Sequence, residues 1–167
     1  MVVAGGILLV LIVLNGLLSM AEIAVVSSRR IRLEQRAEKG DRGAAAALEL
    51  LANPTTFLST VQIGITLVGI VSGAFAGETI GEQLGERLKL IPVVGKYGPM
   101  LGFGAVVGVV TYLSLVIGEL VPKRLGMANP EAIASAAAPV MKRLAAVCSP
   151  FERVLTASTE LVVRLAG

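Results

Sequence analysis

The run Gly118-Glu119-Leu120-Val121-Pro122-Lys123 closes a stretch, Leu101 to Ile117, that holds no charged residue. A carboxylate at the edge of a membrane-length apolar run is costly to keep there. Three residues after Glu119 comes Pro122, which has no N–H to donate and whose ring crowds the carbonyl four residues back. That carbonyl belongs to Gly118. One motif therefore offers a carboxylate next to a backbone oxygen released from its own helix. Such oxygens suit hard cations: magnesium, calcium or sodium. The plainer reading is an interfacial carboxylate paired with Lys123 four residues on.

Other polar side chains fall on shared helix faces. Asn15, Ser19 and Glu22 are spaced by four and three, one face of a helix. Ser59, Gln62 and Thr66 repeat that spacing, with Thr60 on the neighbouring face, and Thr111 and Ser114 lie in line with Gly118. Hydroxyls in membrane helices often bond back to their own backbone. Asn15 and Ser19 equally fit ordinary hydrogen bonding between helices, and Glu22 fits a pairing with a nearby arginine.

The elements that must position these groups are membrane helices. Of the 167 residues 54% are hydrophobic and 16% charged, which is not the composition of a soluble globule. The apolar residues are blocked into Val2 to Ala21, Phe57 to Ala76 and Leu101 to Gly118. Each is near the ~20 residues needed to cross a ~30 Å hydrocarbon core. The reading is an all-α membrane protein with spans at about 2–28, 56–77 and 100–122, Thr55 or Thr56 capping the second. Residues 1–128 form the membrane domain, and 129–167 a juxtamembrane region of amphipathic helices. Within that region Ala132 to Met141 is too short to span, and a second helix runs from about Pro150 to Leu165. A turn is expected at Ile91-Pro92, and helix three is bent or broken at Pro122. The chain stops mid-helix in character, which reads as a piece of a longer protein.

Charge sets the orientation. Six Lys/Arg lie between Arg29 and Ala52, six more from Lys123 onward, and three (Arg87, Lys89, Lys96) between Gly77 and Met100. The positive-inside rule puts the first loop and the C-terminus in the cytoplasm and the N-terminus outside. The net charge of +3 then reflects topology and anionic lipid, and nucleic acid is not a partner. There is no histidine and a single cysteine, Cys148, so Ser-His hydrolysis, His-ligated metals and an intrachain disulfide are excluded and an enzyme is not expected. Gly69, Gly73 and Gly77, and again Gly104 and Gly108, make four-residue ladders that let helices approach closely. Three helices enclose little space, so a two-fold homodimer is expected in the bilayer.

Taken together, the segment Leu14 to Glu22, the segment Ser59 to Gly64 and the Gly118-to-Lys123 motif resemble the transmembrane domain of the CorC/CNNM (cyclin M) magnesium transporters, over essentially the whole chain. The resemblance implies a homodimer of three-helix protomers in the bacterial inner membrane, followed in full-length relatives by cytoplasmic CBS-pair regulatory domains absent from this chain. It implies Mg²⁺ export coupled to Na⁺ entry by alternating access. The ion is then held by Ser19, Ser59, the Gly118 carbonyl and Glu119, with Pro122 as the helix break. Some relatives carry asparagine just after the helix-two glycine, where Ile65-Thr66 stand here, leaving Gln62 or Thr66 as substitutes. Asn15 and Glu22 are further candidates. A passive divalent-cation channel and a magnesium-sensing anchor are the competing readings.

Overall fold

The computed structural model describes residues 2–91 and 95–166, and all regular structure among them is helical. Helix α1 is Val2–Ser27, α2 Arg30–Glu38, α3 Arg42–Ala52 and α4 Pro54–Ala76. A π-turn at Gly77–Gly81 carries α4 into α5, Glu82–Leu88. After a short 3₁₀ turn comes α6, Gly98–Leu115, then a second π-turn at Val116–Leu120, α7 at Val121–Ala128 and α8 at Pro130–Ala166. The second helix starts at Pro54, so a proline in the first turn replaces the threonine cap expected there. The expected turn at Pro92 lies outside the described residues.

Four helical stretches, not three, are long and apolar enough to cross a membrane: Val3–Ser27, Pro54–Leu88, Gly95–Ala128 and Pro130–Leu165. The fourth corrects the reading of the tail as a pair of short helices. Pro139 and Pro150 both lie inside α8 without ending it. The reason is visible at the carbonyls they orphan. Pro150 deprives Ala146, and the Ser149 hydroxyl donates to that same oxygen at 3.1 Å. Pro139 deprives Ser135, whose carbonyl packs directly on Gly43 of α3; a Cβ there would lie 2.1 Å from the oxygen.

The chain packs as two compact units. One combines the chain up to Ser19 with Gly64–Arg124; the other combines Met20–Ile63 with the chain from Leu125 on. In the first, Leu8, Ala76, Val106 and Val110 form the buried core, flanked by Phe75, Ile80 and Leu84. Here α5 and the start of α6 pack backbone to backbone, since a Cβ on Gly102 would meet the Gly85 nitrogen at 2.4 Å. Large apolar side chains such as Val10, Leu67, Ile70 and Val109 remain exposed, as lipid-facing positions require.

In the second unit Leu33, Ala44, Ala47, Ala134 and Ala138 are wholly buried where α2, α3 and α8 pack. Glu131 is buried in the first turn of α8 and accepts the Arg29 N–H at 3.3 Å, with the Arg32 guanidinium 3.7 Å away. It thereby closes the N-terminus of α2, whose own flanking residue supplies no side-chain cap. Gly40, at φ 91°, turns the chain between α2 and α3. Asp41 then caps α3 by accepting the Ala44 N–H at 3.0 Å. That bond holds its carboxyl below the ordinary value, outweighing the opposing desolvation, and Arg36 at 3.1 Å adds to the lowering.

Candidate functional site

The second π-turn is the local origin of the site. Val121 sends its N–H back to the Val116 carbonyl, five residues away, so the Ile117 carbonyl loses its usual helical donor. Pro122 gives none to Gly118. Two consecutive carbonyls are thus released within membrane depth. Where a bend or break was expected at Pro122, the helix runs on through a π-turn that ends two residues before the buried proline, and α7 continues to Ala128. Gly16 of α1 sits against this turn, where a Cβ would lie 2.9 Å from Pro122 Cγ and 3.2 Å from the Ile117 oxygen.

Asn15, one residue earlier on α1, is buried and donates its Nδ2 to the Gly118 carbonyl at 3.0 Å. That bond fixes the amide orientation, because a flipped amide would set oxygen against oxygen. It leaves Asn15 Oδ1 buried and without a hydrogen-bond partner. Asn15 also forms part of the wall of a cavity of about 190 Å³, together with Thr111, Ser114 and Glu119, and with Gly69 and Gly73 of α4. Glu119 is about one-third exposed and pairs with Lys123 at 2.8 Å. The ion pair and the cavity wall are both real features of this carboxylate.

The expected ligand set is therefore only partly gathered. Asn15 and Glu119 share the cavity, and the Gly118 carbonyl is tied to it through Asn15. Ser19 is fully buried one turn along α1, its Oγ without a partner. Thr66 is exposed on α4. Glu22, Ser59 and Gln62 belong to the other unit. There Ser59 and Gln62 line a cleft of about 400 Å³ with Thr156, Thr159, Glu152 and Glu160. Beside Ser59 on α4 the buried hydroxyl is that of Thr60, and its Oγ1 has no partner; Ser72, also buried, donates to the Val68 carbonyl of its own helix. Sequence reading missed the Ile117 carbonyl, for which the proline five residues on was the available signal, and Glu131, which the Pro130-Glu131 helix start announces.

Among the described residues no three carboxylates or thiols converge. A cation in the α1–α4–α6 cavity would meet one carboxylate and neutral oxygens, and would keep part of its water. That chemistry favours a transient ligand over a resident structural metal.

Comparison with known proteins places these features in a lineage. Residues 6–167 match the family profile described as the cyclin M transmembrane N-terminal domain. The UPF0053 protein sll0260 of Synechocystis sp. (strain ATCC 27184 / PCC 6803 / Kazusa) is 50% identical over 158 residues, which cover 95% of this chain and 35% of that protein. The polyamine export protein of Escherichia coli K12 is 29% identical over 159 residues, 95% of this chain and 35% of its own. The UPF0053 protein YugS of Bacillus subtilis 168 is 28% identical over 158 residues, 95% of this chain and 37% of its own. The chain spans about a third of the length of these relatives.

Proposed function

Because the chain belongs to the cyclin M transmembrane-domain family, we propose that it forms the membrane pathway of a magnesium exporter in the bacterial inner membrane, driven by sodium entry. The observation that carries this reading is the cavity whose wall joins Asn15, with its buried and unpartnered Oδ1, to Glu119, Thr111 and Ser114. Every group there is an oxygen ligand of the kind that magnesium and sodium accept. Pairing with Lys123 keeps Glu119 neutralised when no cation is present, and an entering cation displaces the ammonium. A divalent ion leaving against an inside-negative potential costs about 2.3 kcal/mol per charge per 100 mV, so export needs a coupled favourable flux. Sodium entry supplies one. Two copies related by a two-fold axis complete the pathway.

The test is magnesium calorimetry on the solubilised chain, wild type against Glu119→Ala and Asn15→Ala, followed by flux in proteoliposomes with and without a sodium gradient. Saturable binding lost in Glu119→Ala and sodium-dependent flux are expected. Flux indifferent to sodium would point to a passive channel, and binding without flux to a sensing anchor. Binding unchanged in Glu119→Ala would sink the site.

A second reading is an organic polycation as cargo. The cleft holding Ser59 and Gln62 also carries Glu152 and Glu160, eight residues apart on one helix and so about 12 Å along its axis. Two carboxylates at that spacing, with hydroxyls between them, suit an extended polyammonium chain, and one relative is named a polyamine export protein. Spermidine flux lost in a Glu152→Gln/Glu160→Gln variant, with magnesium flux retained, would favour it.

A further inference from the structure

A second cavity in the first unit, of about 380 Å³, has walls that are aliphatic throughout. Leu8 and Ile12 of α1, Ile80 and Leu84 of the first π-turn and α5, and Val109 and Leu113 of α6 enclose it. Gly5 lies at its edge, with open space where a Cβ would stand. By length and composition α1 and α6 lie within stretches able to span the membrane, and α5 stands at the charged end of another, so lipid is the apolar medium that a groove between them would meet. Ile80 and Leu84 stand four apart on one helical face, and Arg87 continues that face one turn further. Arg87 is exposed and makes no ion pair among the described residues. An apolar slot with an unpaired guanidinium one helical turn beyond its Leu84 wall matches a phospholipid: acyl chain in the slot, phosphate at the cation.

We propose that this groove is a binding site for one anionic phospholipid, whose acyl chain lies between α1, α5 and α6 and whose phosphodiester is held by Arg87. A second copy of the chain is a poorer occupant. The glycines of α6 with no neighbour near their Cβ positions, Gly104 and Gly108, lie on the face opposite the groove-lining Val109 and Leu113, at 100° per residue. A close helix–helix contact would form on that other face.

The experiment is native mass spectrometry of the full chain released from detergent with phosphatidylglycerol or phosphatidylcholine of identical acyl chains. Wild type should retain one phosphatidylglycerol per chain, with about fivefold preference over phosphatidylcholine, the worth of one cation at a lipid surface. Arg87→Gln, at an exposed site that leaves the fold alone, should remove the preference and keep the weaker retention of both lipids. Ala105→Phe, which fills the slot, should lower retention of both. Equal retention of the two lipids by wild type overturns the proposal. So does a preference that survives Arg87→Gln, or lipid loss in Ala105→Phe accompanied by a change in oligomeric mass, which would place a protein partner in the groove.

Discussion

At the level of single residues, Asn15 ties the site together. Its Nδ2 satisfies a carbonyl that a proline orphaned, and the same amide leaves its oxygen buried and unpartnered in a residue of the cavity wall. Asn15→Leu should lower stability by about 1 kcal/mol, because hydrogen bonds between membrane helices average roughly 0.6 kcal/mol and the stranded acceptor adds to that. A drop in Tm of about 2–4 °C in detergent checks it. Magnesium binding should weaken along with it. Lys123→Met should act in the opposite sense on binding: with the ammonium at 2.8 Å gone, a cation at Glu119 meets no competitor. Calorimetry should show severalfold tighter magnesium, and weaker binding would mean that Lys123 positions the carboxylate instead. Glu119 and Gly118 were legible in the sequence because a carboxylate and a proline in an apolar run are each anomalous. Asn15 was legible only as one face of a helix. Spacing shows which residues lie on a face and is silent about which carbonyl that face meets.

Among the elements, close backbone approach decides what tolerates change. Gly16→Ala would drive a methyl into Pro122 Cγ and the Ile117 oxygen, neither of which yields easily. A cost of about 1–3 kcal/mol is expected, read as a lower melting temperature. Gly69→Ala meets nothing within the chain, so its monomer should melt like wild type. The glycine ladders were thus visible as patterns without their roles. Gly77 packs on Phe103, whereas Gly69, Gly73, Gly104 and Gly108 have open space where a side chain would be. A four-residue repeat looks the same in both settings. The α3 cap carries a pH signature. The Asp41 carboxyl is held below its ordinary value, so its contribution is present above that value and fades as the pH falls through the lowered one. Protection of the Ala44 and Ala45 amides, taken relative to their intrinsic exchange rates at each pH, should fall as the carboxyl is protonated, and Asp41→Ala should show that reduced protection already at neutral pH. Protection at those amides that is unchanged by acidification in wild type would remove Asp41 from the role.

For the whole molecule, the blocked hydrophobicity gave an all-helical membrane chain, and three of its spans fall close to where they were read. The fourth helix long and apolar enough to cross was hidden because α8 mixes charges with apolar residues along its length and carries two prolines, each ordinarily a helix stop. The carbonyl freed by Pro150 is answered by Ser149, and the one freed by Pro139 lies against Gly43, ninety-odd residues away in sequence. If the open glycine face is where two copies meet, Gly104→Trp should halve the particle mass measured by light scattering while leaving the monomer helical by circular dichroism. An unchanged mass would move the contact elsewhere. The three prolines also set where the chain can yield. The carbonyls orphaned by Pro122 and Pro139 are engaged by other helices, through Asn15 and Gly43, so bending at either point requires a neighbour to move as well. The one orphaned by Pro150 is served by a serine of its own helix. Compliance is therefore unevenly distributed: at the first two a bend must move a group of another helix, whereas at Pro150 the freed carbonyl is answered within α8, and what a bend there changes is the cleft that Glu152 and Glu160 share with Ser59 and Gln62.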